Sequence, residues 1–108
     1  MVARMIQLVA KPGRGKELQK AMLERSLQTL QDQPGFVEGI SLTPETEQDQ
    51  FVGISIWKSK SDADKFINGQ GEQILEFCRP LLQTEPAFRS FQVENSTIYD
   101  ASSRAATR

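Results

Sequence analysis

The fold is decided by three consecutive segments: Pro34-Gly-Phe-Val-Glu-Gly-Ile-Ser-Leu42, Phe51-Val-Gly-Ile-Ser-Ile-Trp57 and Lys58-Ser-Lys-Ser-Asp-Ala-Asp-Lys-Phe66. The opening Pro-Gly pair ends whatever element precedes it, and the runs over 36–43 and 51–58 have the β-branched and aromatic content of strands. A polar stretch, 44–50, joins them as a long hairpin loop. Ser61 is then predicted to be a helix N-cap, with Asp64 as its capping-box partner. The pattern predicts a hairpin that leads directly into a helix.

The chain on either side of this hairpin supplies two more strands and another helix. Residues 2–10 are predicted to form a strand, and residues 16–33 a helix with an apolar stripe of leucines. The second helix is expected to break near Gly69 and Gly71 and to resume over 72–79, and a last strand is predicted over 91–99. The order β-α-β-β-α-β is that of ferredoxin-like α+β folds, in which a four-stranded antiparallel sheet carries both helices on one face.

The other face of such a sheet would be uncovered in a monomer. We assign Met5, Val9, Phe51 and Trp57 to it, which makes the face too apolar to stay in contact with water. A second copy packed sheet to sheet would bury this surface. We therefore expect a homodimer in which the two sheets form a dimeric α/β barrel.

Length and composition indicate one globular domain, expected over residues 1–100, and a tail over 101–108 without apolar anchors that is expected to be disordered. The 13 basic and 14 acidic residues give a net charge of −1, which offers no attraction for nucleic acid or an anionic membrane. No membrane span or secretory signal is visible. Because Cys78 is the one cysteine, no internal disulfide can form, which indicates the cytoplasm.

The chain contains no histidine, and this excludes several kinds of chemistry. A Ser-His-Asp triad would have no base, and carboxylates are almost the only metal ligands left. Glu45, Glu47 and Asp49 share one polar loop, which by itself does not indicate a metal site. We expect neither a metal nor a cofactor.

Several short motifs, taken in their order and spacing, resemble the antibiotic biosynthesis monooxygenase family. They are the turn after the first strand, the first helix, Pro34-Gly35-Phe36, and Ile56-Trp57-Lys58-Ser59 leading into Ala63 and Phe66. The resemblance covers roughly residues 2–99 and implies a dimeric barrel with a pocket between sheet and helices in each subunit. Members of the family include cofactor-free oxygenases of quinols and anthrones, haem-degrading oxygenases and isomerase-like enzymes, so the fold does not fix the function.

The haem-degrading branch implies an Asn on the first strand, a Trp in the second helix and a His iron ligand further along that helix. The matching positions here hold Arg4, Phe66 and Glu76, so all three are replaced. A carboxylate is a poor substitute for imidazole on haem iron, and a lone cysteine such as Cys78 is usually a core residue. We therefore do not expect haem degradation.

The cofactor-free branch implies a less demanding site, because a deprotonated quinol or anthrone can itself reduce O₂. On this resemblance Arg4 is predicted to stabilise a phenolate, and Glu76, if buried, to accept its proton. Trp57, Phe66 and Arg79 are predicted to line the substrate pocket.

Each of these residues also has a purely structural alternative. For Trp57 and Phe66 it is packing in the core or at a dimer interface. For Glu76 and Arg79 it is an ion pair on the helix surface, and for Arg4 it is an edge strand with the guanidinium in water.

The leading functional hypothesis is a cofactor-independent monooxygenase that acts on a small aromatic, quinol-like or anthrone-like substrate. One alternative is a non-catalytic ligand-binding or structural dimer on the same barrel, and another is an isomerase of small phosphorylated molecules with Arg79 and Arg89 as phosphate contacts. Pocket polarity discriminates the three: an oxygenase needs an aromatic slot with one or two polar groups, an isomerase a basic pocket, and a structural dimer a filled one.

Overall fold

The computed structural model describes residues 1–99, which form a four-stranded antiparallel sheet with three α-helices. The elements follow in the order β1 (Val2–Val9), α1 (Gly15–Gln31), β2 (Phe36–Leu42), β3 (Gln50–Trp57), α2 (Lys60–Ile67), α3 (Gln70–Cys78) and β4 (Ala87–Gln92), with a 3-10 turn at Arg79–Leu81. The predicted ferredoxin-like α+β fold is confirmed, and the second helix is divided into α2 and α3 as the glycines indicated.

The sheet has the strand order β2-β3-β1-β4, so β1 and β3 are its central strands. Leu8 lies opposite Phe51, Arg4 opposite Ser55, and Val2 opposite Trp57. Leu8 is fully buried in the core with residues of α1 and α3, and this fixes which register of each strand faces the helices. Because side chains alternate along a strand, Arg4 and Ser55 share the helix-covered face with Leu8.

The placement of Phe51 and Trp57 on the open face of the sheet was wrong. Both lie on the helix-covered face, where they are 3% and 1% exposed. Alternation alone did not reveal this, because both registers of β3 carry apolar side chains and either could have faced the helices.

The open face is nevertheless apolar. The register places Met5 and Val9 there, as predicted, together with apolar residues of the neighbouring strands: Val52, Ile54 and Ile56 on β3, and Ile40 and Leu42 on β2. The two residues of the edge strand β2 are 38% and 45% exposed.

The junction between β3 and α2 starts the helix two residues earlier than predicted. Ser59, not Ser61, is the N-cap, and its hydroxyl accepts a hydrogen bond of 3.1 Å from the backbone N–H of Asp62. The N–H of Lys58 donates to the carbonyl of Gly35 at 2.8 Å. The end of β3 is therefore hydrogen-bonded to the residue that precedes β2, directly before the N-cap. Gly35 has a φ of 79°, and a Cβ there would overlap the Asp62 carboxylate. Either serine satisfies the capping pattern, and this packing selects the first.

The last strand also lies earlier than predicted, at Ala87–Gln92 instead of 91–99. It ends because its partner β1 ends: Gln92 pairs with Val2, and the N–H of Val93 makes a final bond to the carbonyl of Met1. Further on, Tyr99 donates from its hydroxyl to Glu38 at 2.8 Å. The tail predicted over 101–108 lies outside the described residues, and no helix within residues 1–99 is long and apolar enough to cross a membrane.

The start of α1 is capped by a residue from a distant loop. Asp49, next to β3, accepts hydrogen bonds from the backbone N–H groups of Gly13 and Gly15 at 3.1 and 3.0 Å. Arg14, at the N-cap position, makes no capping hydrogen bond of its own, so Asp49 satisfies one of the donors that the helix leaves open, the N–H of Gly15. The carboxylate also lies where the helix dipole favours negative charge.

We predict that Asp49→Ala lowers the free energy of unfolding by about 1–2 kcal/mol, because it removes this cap. Urea denaturation followed by circular dichroism measures the change. Glu45→Ala is the matched control, since Glu45 is exposed in the same loop, and a surface change of this kind stays within about 0.5 kcal/mol. Equal effects of the two substitutions would contradict the capping role.

Candidate functional site

A largely apolar cavity of about 110 Å³ lies between the helix-covered face of the sheet and the helices. Strands β1–β4 form one side of it, and all three helices contribute to the other. Three residues of the open-face register, Met5, Ile40 and Ile54, also border it. The other residues that line it are Arg4, Ile6, Met22, Leu23, Ser26, Leu27, Leu30, Gly39, Ser41, Phe51, Gly53, Ser55, Trp57, Phe66, Ile67, Gly71, Ile74, Leu75 and Phe88. Leu23, Leu27 and Phe88 are 41–53% exposed, so the cavity reaches the surface beside them.

The sheet side of the cavity exists because two strand positions have no side chain. Gly39 on β2 and Gly53 on β3 both face the helices and line the cavity. A strand glycine often marks a place where something must approach the backbone closely. Larger residues at both positions would fill the cavity from the side of the sheet.

Aromatic rings form one wall. The rings of Trp57 and Phe66 have centroids 5.5 Å apart, and Phe36 meets Trp57 edge-on at the same distance. Gly71, the second residue of α3, permits this arrangement, because a Cβ there would lie 2.8 Å from the Phe66 ring. The predicted pocket residues Trp57 and Phe66 thus line the cavity and also pack against each other.

Arg4 is the charged residue of this cavity. It lies on the central strand β1, and its side chain is 16% exposed, so the alternative of an edge strand with the guanidinium in water does not apply. Its Nη2 donates to Oδ1 of Asp64 on α2 at 2.7 Å. Its Nε is buried and has no hydrogen-bond partner. An unsatisfied buried donor on an ionised group is costly, so the ion pair with Asp64 compensates the burial of this guanidinium only in part.

Asp64 holds the guanidinium of Arg4 in place. Its second oxygen accepts a hydrogen bond from Nζ of Lys60 at 2.9 Å. The hydrogen bonds from Lys60 and from Arg4 lower the pKa of the Asp64 carboxyl from its usual value, so Asp64 stays ionised at neutral pH. Asp64 was predicted only as a capping residue, because nothing in the local pattern reveals a partner 60 positions away.

Ser55 is a second site residue that the sequence analysis missed. It is the cross-strand partner of Arg4 and lines the cavity. Its hydroxyl oxygen accepts a hydrogen bond of 2.8 Å from the indole N–H of Trp57. Alternation along β3 is enough to predict that Ser55 and Trp57 share one face of the strand. That Ser55 lies opposite Arg4 depends on the pairing of β3 with β1, which the sequence alone did not give.

Glu76 and Arg79 do not line the cavity. Glu76 is 62% exposed, so the condition of burial set for its role as a base is not met, and its carboxylate accepts a hydrogen bond of 2.7 Å from Nε of Arg79. Arg79 also binds Glu85 at 2.9 Å. This is the surface ion pair that the sequence analysis gave as the alternative. The position that matches the haem ligand thus faces away from the cavity, and the residues present do not suit a haem there.

The remaining candidates also lie away from the cavity. Arg89 is on the opposite face of β4, with its guanidinium 4.9 Å from the centre of the Phe91 ring. Cys78 is fully buried, its sulfur lies 3.5 Å from that of Met22, and burial raises the pKa of its thiol. Within residues 1–99, no group of three or more acidic or cysteine side chains is arranged to hold a metal ion.

Comparison with solved structures shows the same fold in several proteins. Cofactor-independent oxygenase SnoaB from Streptomyces nogalater is 16% identical, with 91% of this chain and 97% of that one covered at a TM-score of 0.75. A Nitrosomonas europaea protein of unknown function is 16% identical, with coverages of 89% and 91% and a TM-score of 0.78. A conserved Methanosarcina mazei protein is 14% identical, with coverages of 87% and 94% and a TM-score of 0.74. At these identities the likeness shows the fold.

A family model gives the assignment that the fold alone does not. No curated protein matches the chain in sequence. The model described as antibiotic biosynthesis monooxygenase matches residues 1–92, which include every strand and helix described above and all residues of the cavity. The chain therefore belongs to the antibiotic biosynthesis monooxygenase family.

Proposed function

We propose that the protein is a cofactor-independent monooxygenase of small aromatic substrates of the quinol or anthrone type. The observation that carries the proposal is the Arg4 side chain, which Asp64 holds at the wall of a largely apolar cavity. A fixed positive charge in a largely apolar site favours the phenolate over the phenol, and the phenolate is the form that reacts with O₂. The similarity in fold to a cofactor-independent oxygenase supports the same class of reaction.

The proposed reaction balances without an external reductant. The phenol loses its proton to water at the mouth of the cavity, and the anion passes an electron to O₂. Recombination at a ring carbon forms a C–O bond, the O–O bond then breaks, and one oxygen atom remains on the product while the other leaves as water. A hydroquinone becomes a hydroxyquinone, or an anthrone an anthraquinone, so the substrate supplies all the electrons that O₂ takes up.

Glu76 has no role in the proposed reaction. Its carboxylate is exposed and bound to Arg79, so it lies outside the cavity in which the phenol would lose its proton. Arg4 instead favours the anion directly, and solvent is the proton acceptor. Trp57 and Phe66 would hold the ring by apolar contact.

Cavity polarity favours the oxygenase over the other two hypotheses. An isomerase of phosphorylated molecules needs a basic pocket, whereas Arg79 and Arg89 lie outside the cavity. A purely structural dimer would be expected to fill the space beside Gly39 and Gly53, which is open. An aromatic slot with a few converging polar groups is the arrangement expected of an oxygenase.

We predict that the metal-free protein consumes O₂ with at least one member of a panel of hydroquinones and anthrones, faster than autoxidation. Arg4→Met keeps the length of the side chain but removes the donor, and we expect kcat/KM to fall by about 100-fold, the effect typical of losing one such donor. An oxygen electrode measures the rate. Arg14→Met, at an exposed ion pair with Glu17, is the control. Equal rates for the two variants on a proven substrate would remove Arg4 from the mechanism.

We also propose that the protein acts as a homodimer, with two copies packed through the open face of the sheet. The apolar side chains of that face, such as Val52, Ile54 and Ile56, support the proposal, because an apolar sheet face of this extent is unusual in a monomer. Sheet-to-sheet packing would bury them.

Val52→Lys introduces a charge into this face and is predicted to shift the protein from dimer to monomer in analytical ultracentrifugation. Gln28→Lys, at an exposed position of α1, should leave the sedimentation coefficient unchanged. A monomeric wild-type protein at tens of micromolar would contradict the proposed assembly.

A further inference from the structure

We propose that two copies of the chain pack with their strands aligned, so that Glu38 at one edge of the open face forms an ion pair with Arg89 at the opposite edge of the second copy. The inference rests on the homodimer proposed above. It goes further in fixing the orientation of the two sheets and in naming the residues that select it. Because a two-fold interface repeats every contact, the ion pair would occur twice.

The strands give the open face one negative and one positive side chain, and these lie at its two edges. Among the residues of the four strands, Glu38 on β2 and Arg89 on β4 are the charged ones that the register places on this face. The strands β2 and β4 are the outer strands of the sheet. With neighbouring strands about 4.8 Å apart, three spacings separate the two residues by about 14 Å across the face. Within residues 1–99 neither of them forms a salt bridge.

Both charges lie in the same row of residues across the strands. Glu38 pairs with Ile56, and Ile56 pairs with Ala3. Ala3 pairs in turn with Phe91 on β4, which completes the row. Arg89 is two residues from Phe91 on the same face, and its guanidinium lies 4.9 Å from the centre of the Phe91 ring. This contact brings the positive charge into the row that has Glu38 at its other end.

Two-fold symmetry gives two limiting orientations for sheets that pack face to face. If the axis runs along the strands, β2 of one copy lies over β4 of the other, and each row of residues faces the same row. If the axis runs across the strands, β2 lies over β2 and β4 over β4. The first orientation brings Glu38 opposite the guanidinium of Arg89 in the second copy, whereas the second collects like charges along each edge. Charge complementarity therefore selects the axis along the strands.

The two side chains have room to meet between the copies. Packed sheets lie about 10 Å apart, a gap that an arginine and a glutamate reaching from opposite sides can span. Arg89 is exposed, and the Tyr99 hydroxyl donates to Oε1 of Glu38 at 2.8 Å. A carboxylate accepts at both oxygens, so this bond leaves Oε2 for a guanidinium. The second copy would withdraw both groups from water, which makes their attraction stronger than that of a surface pair.

The segment that follows β4 supports the same orientation. Ile98 is 75% exposed, and the Ser96 hydroxyl oxygen holds the backbone there by accepting hydrogen bonds from the N–H groups of Ile98 and Tyr99. Because Tyr99 reaches Glu38, this segment lies at the end of the face that holds the row of Glu38. An axis along the strands places these ends of the two copies together, where each copy can cover Ile98 of the other. An axis across the strands would leave them at opposite ends of the dimer.

Charge reversal tests the ion pair. Glu38→Lys alone and Arg89→Glu alone each place like charges opposite one another, and we expect the dimer Kd measured by analytical ultracentrifugation to rise about tenfold or more. The double variant Glu38→Lys/Arg89→Glu restores opposite charges in reversed order and is expected to recover most of the lost affinity. A single variant that weakened the dimer by misfolding would not be rescued in this way, and circular dichroism checks the fold of each variant.

Exposed charges on α1 supply the matched controls. Glu24→Lys and Lys20→Glu change the net charge by the same amounts as the two reversals, but on the helix side of the sheet. Tyr99→Phe removes the hydrogen bond to Glu38 and keeps both charges of the pair. All three variants should leave the dimer Kd unchanged. Equal effects of the α1 variants, or a loss in Tyr99→Phe as large as that in Glu38→Lys, would overturn the ion pair.

The same measurements distinguish failure of this inference from failure of the proposed homodimer. A wild-type protein that stays monomeric at tens of micromolar would contradict the homodimer and the inference together. A dimer whose Kd does not respond to either single reversal, or whose affinity the double variant does not recover, would overturn the proposed orientation and leave the homodimer intact. The oxygenase is tested separately by O₂ uptake, which does not depend on how the two sheets are oriented.

Discussion

The ion pair between Arg4 and Asp64 is the interaction on which the site depends. It joins the central strand β1 to helix α2, and it gives the part-buried guanidinium the partner that a charge in this position requires. It satisfies only one end of the group, because the acceptor lies at Nη2 and Nε is left without one. The same contact that makes the arginine tolerable in the fold therefore also holds its positive charge at the wall of the cavity.

The rest of the site follows from how the chain positions that pair and keeps the space beside it open. Ser59 starts α2 directly after β3, which brings Asp64 over Arg4. Gly71 lets the Phe66 ring approach α3, and Phe66 with Trp57 closes one side. Gly39 and Gly53 leave the sheet side open. The cavity is thus a consequence of small residues at a few positions within a well-packed core.

The order of the elements could be predicted from the sequence because each boundary has a local signal, such as Pro34-Gly35 or the glycines between α2 and α3. The face of β3 could not, since both of its registers are apolar and only Leu8 on the paired strand decides between them. Glu76 was assigned by its match to a family position, and such a match does not show which face of α3 a residue occupies. In the structure that face is exposed, and Glu76 pairs there with Arg79. Asp64 and Ser55 became visible only through tertiary contacts, which no local pattern encodes.

The central claim is that the positive charge of Arg4 stabilises an anionic ligand in the cavity. The most direct measurement is the set of ¹H–¹⁵N NMR resonances of the Arg4 guanidinium, assigned by their loss in Arg4→Lys and recorded with and without the phenolate of 4-nitrophenol. The account predicts that these resonances shift on binding, while the Trp57 indole resonance also moves. A ligand that perturbs the Trp57 resonance but leaves all the Arg4 guanidinium resonances unchanged would contradict it.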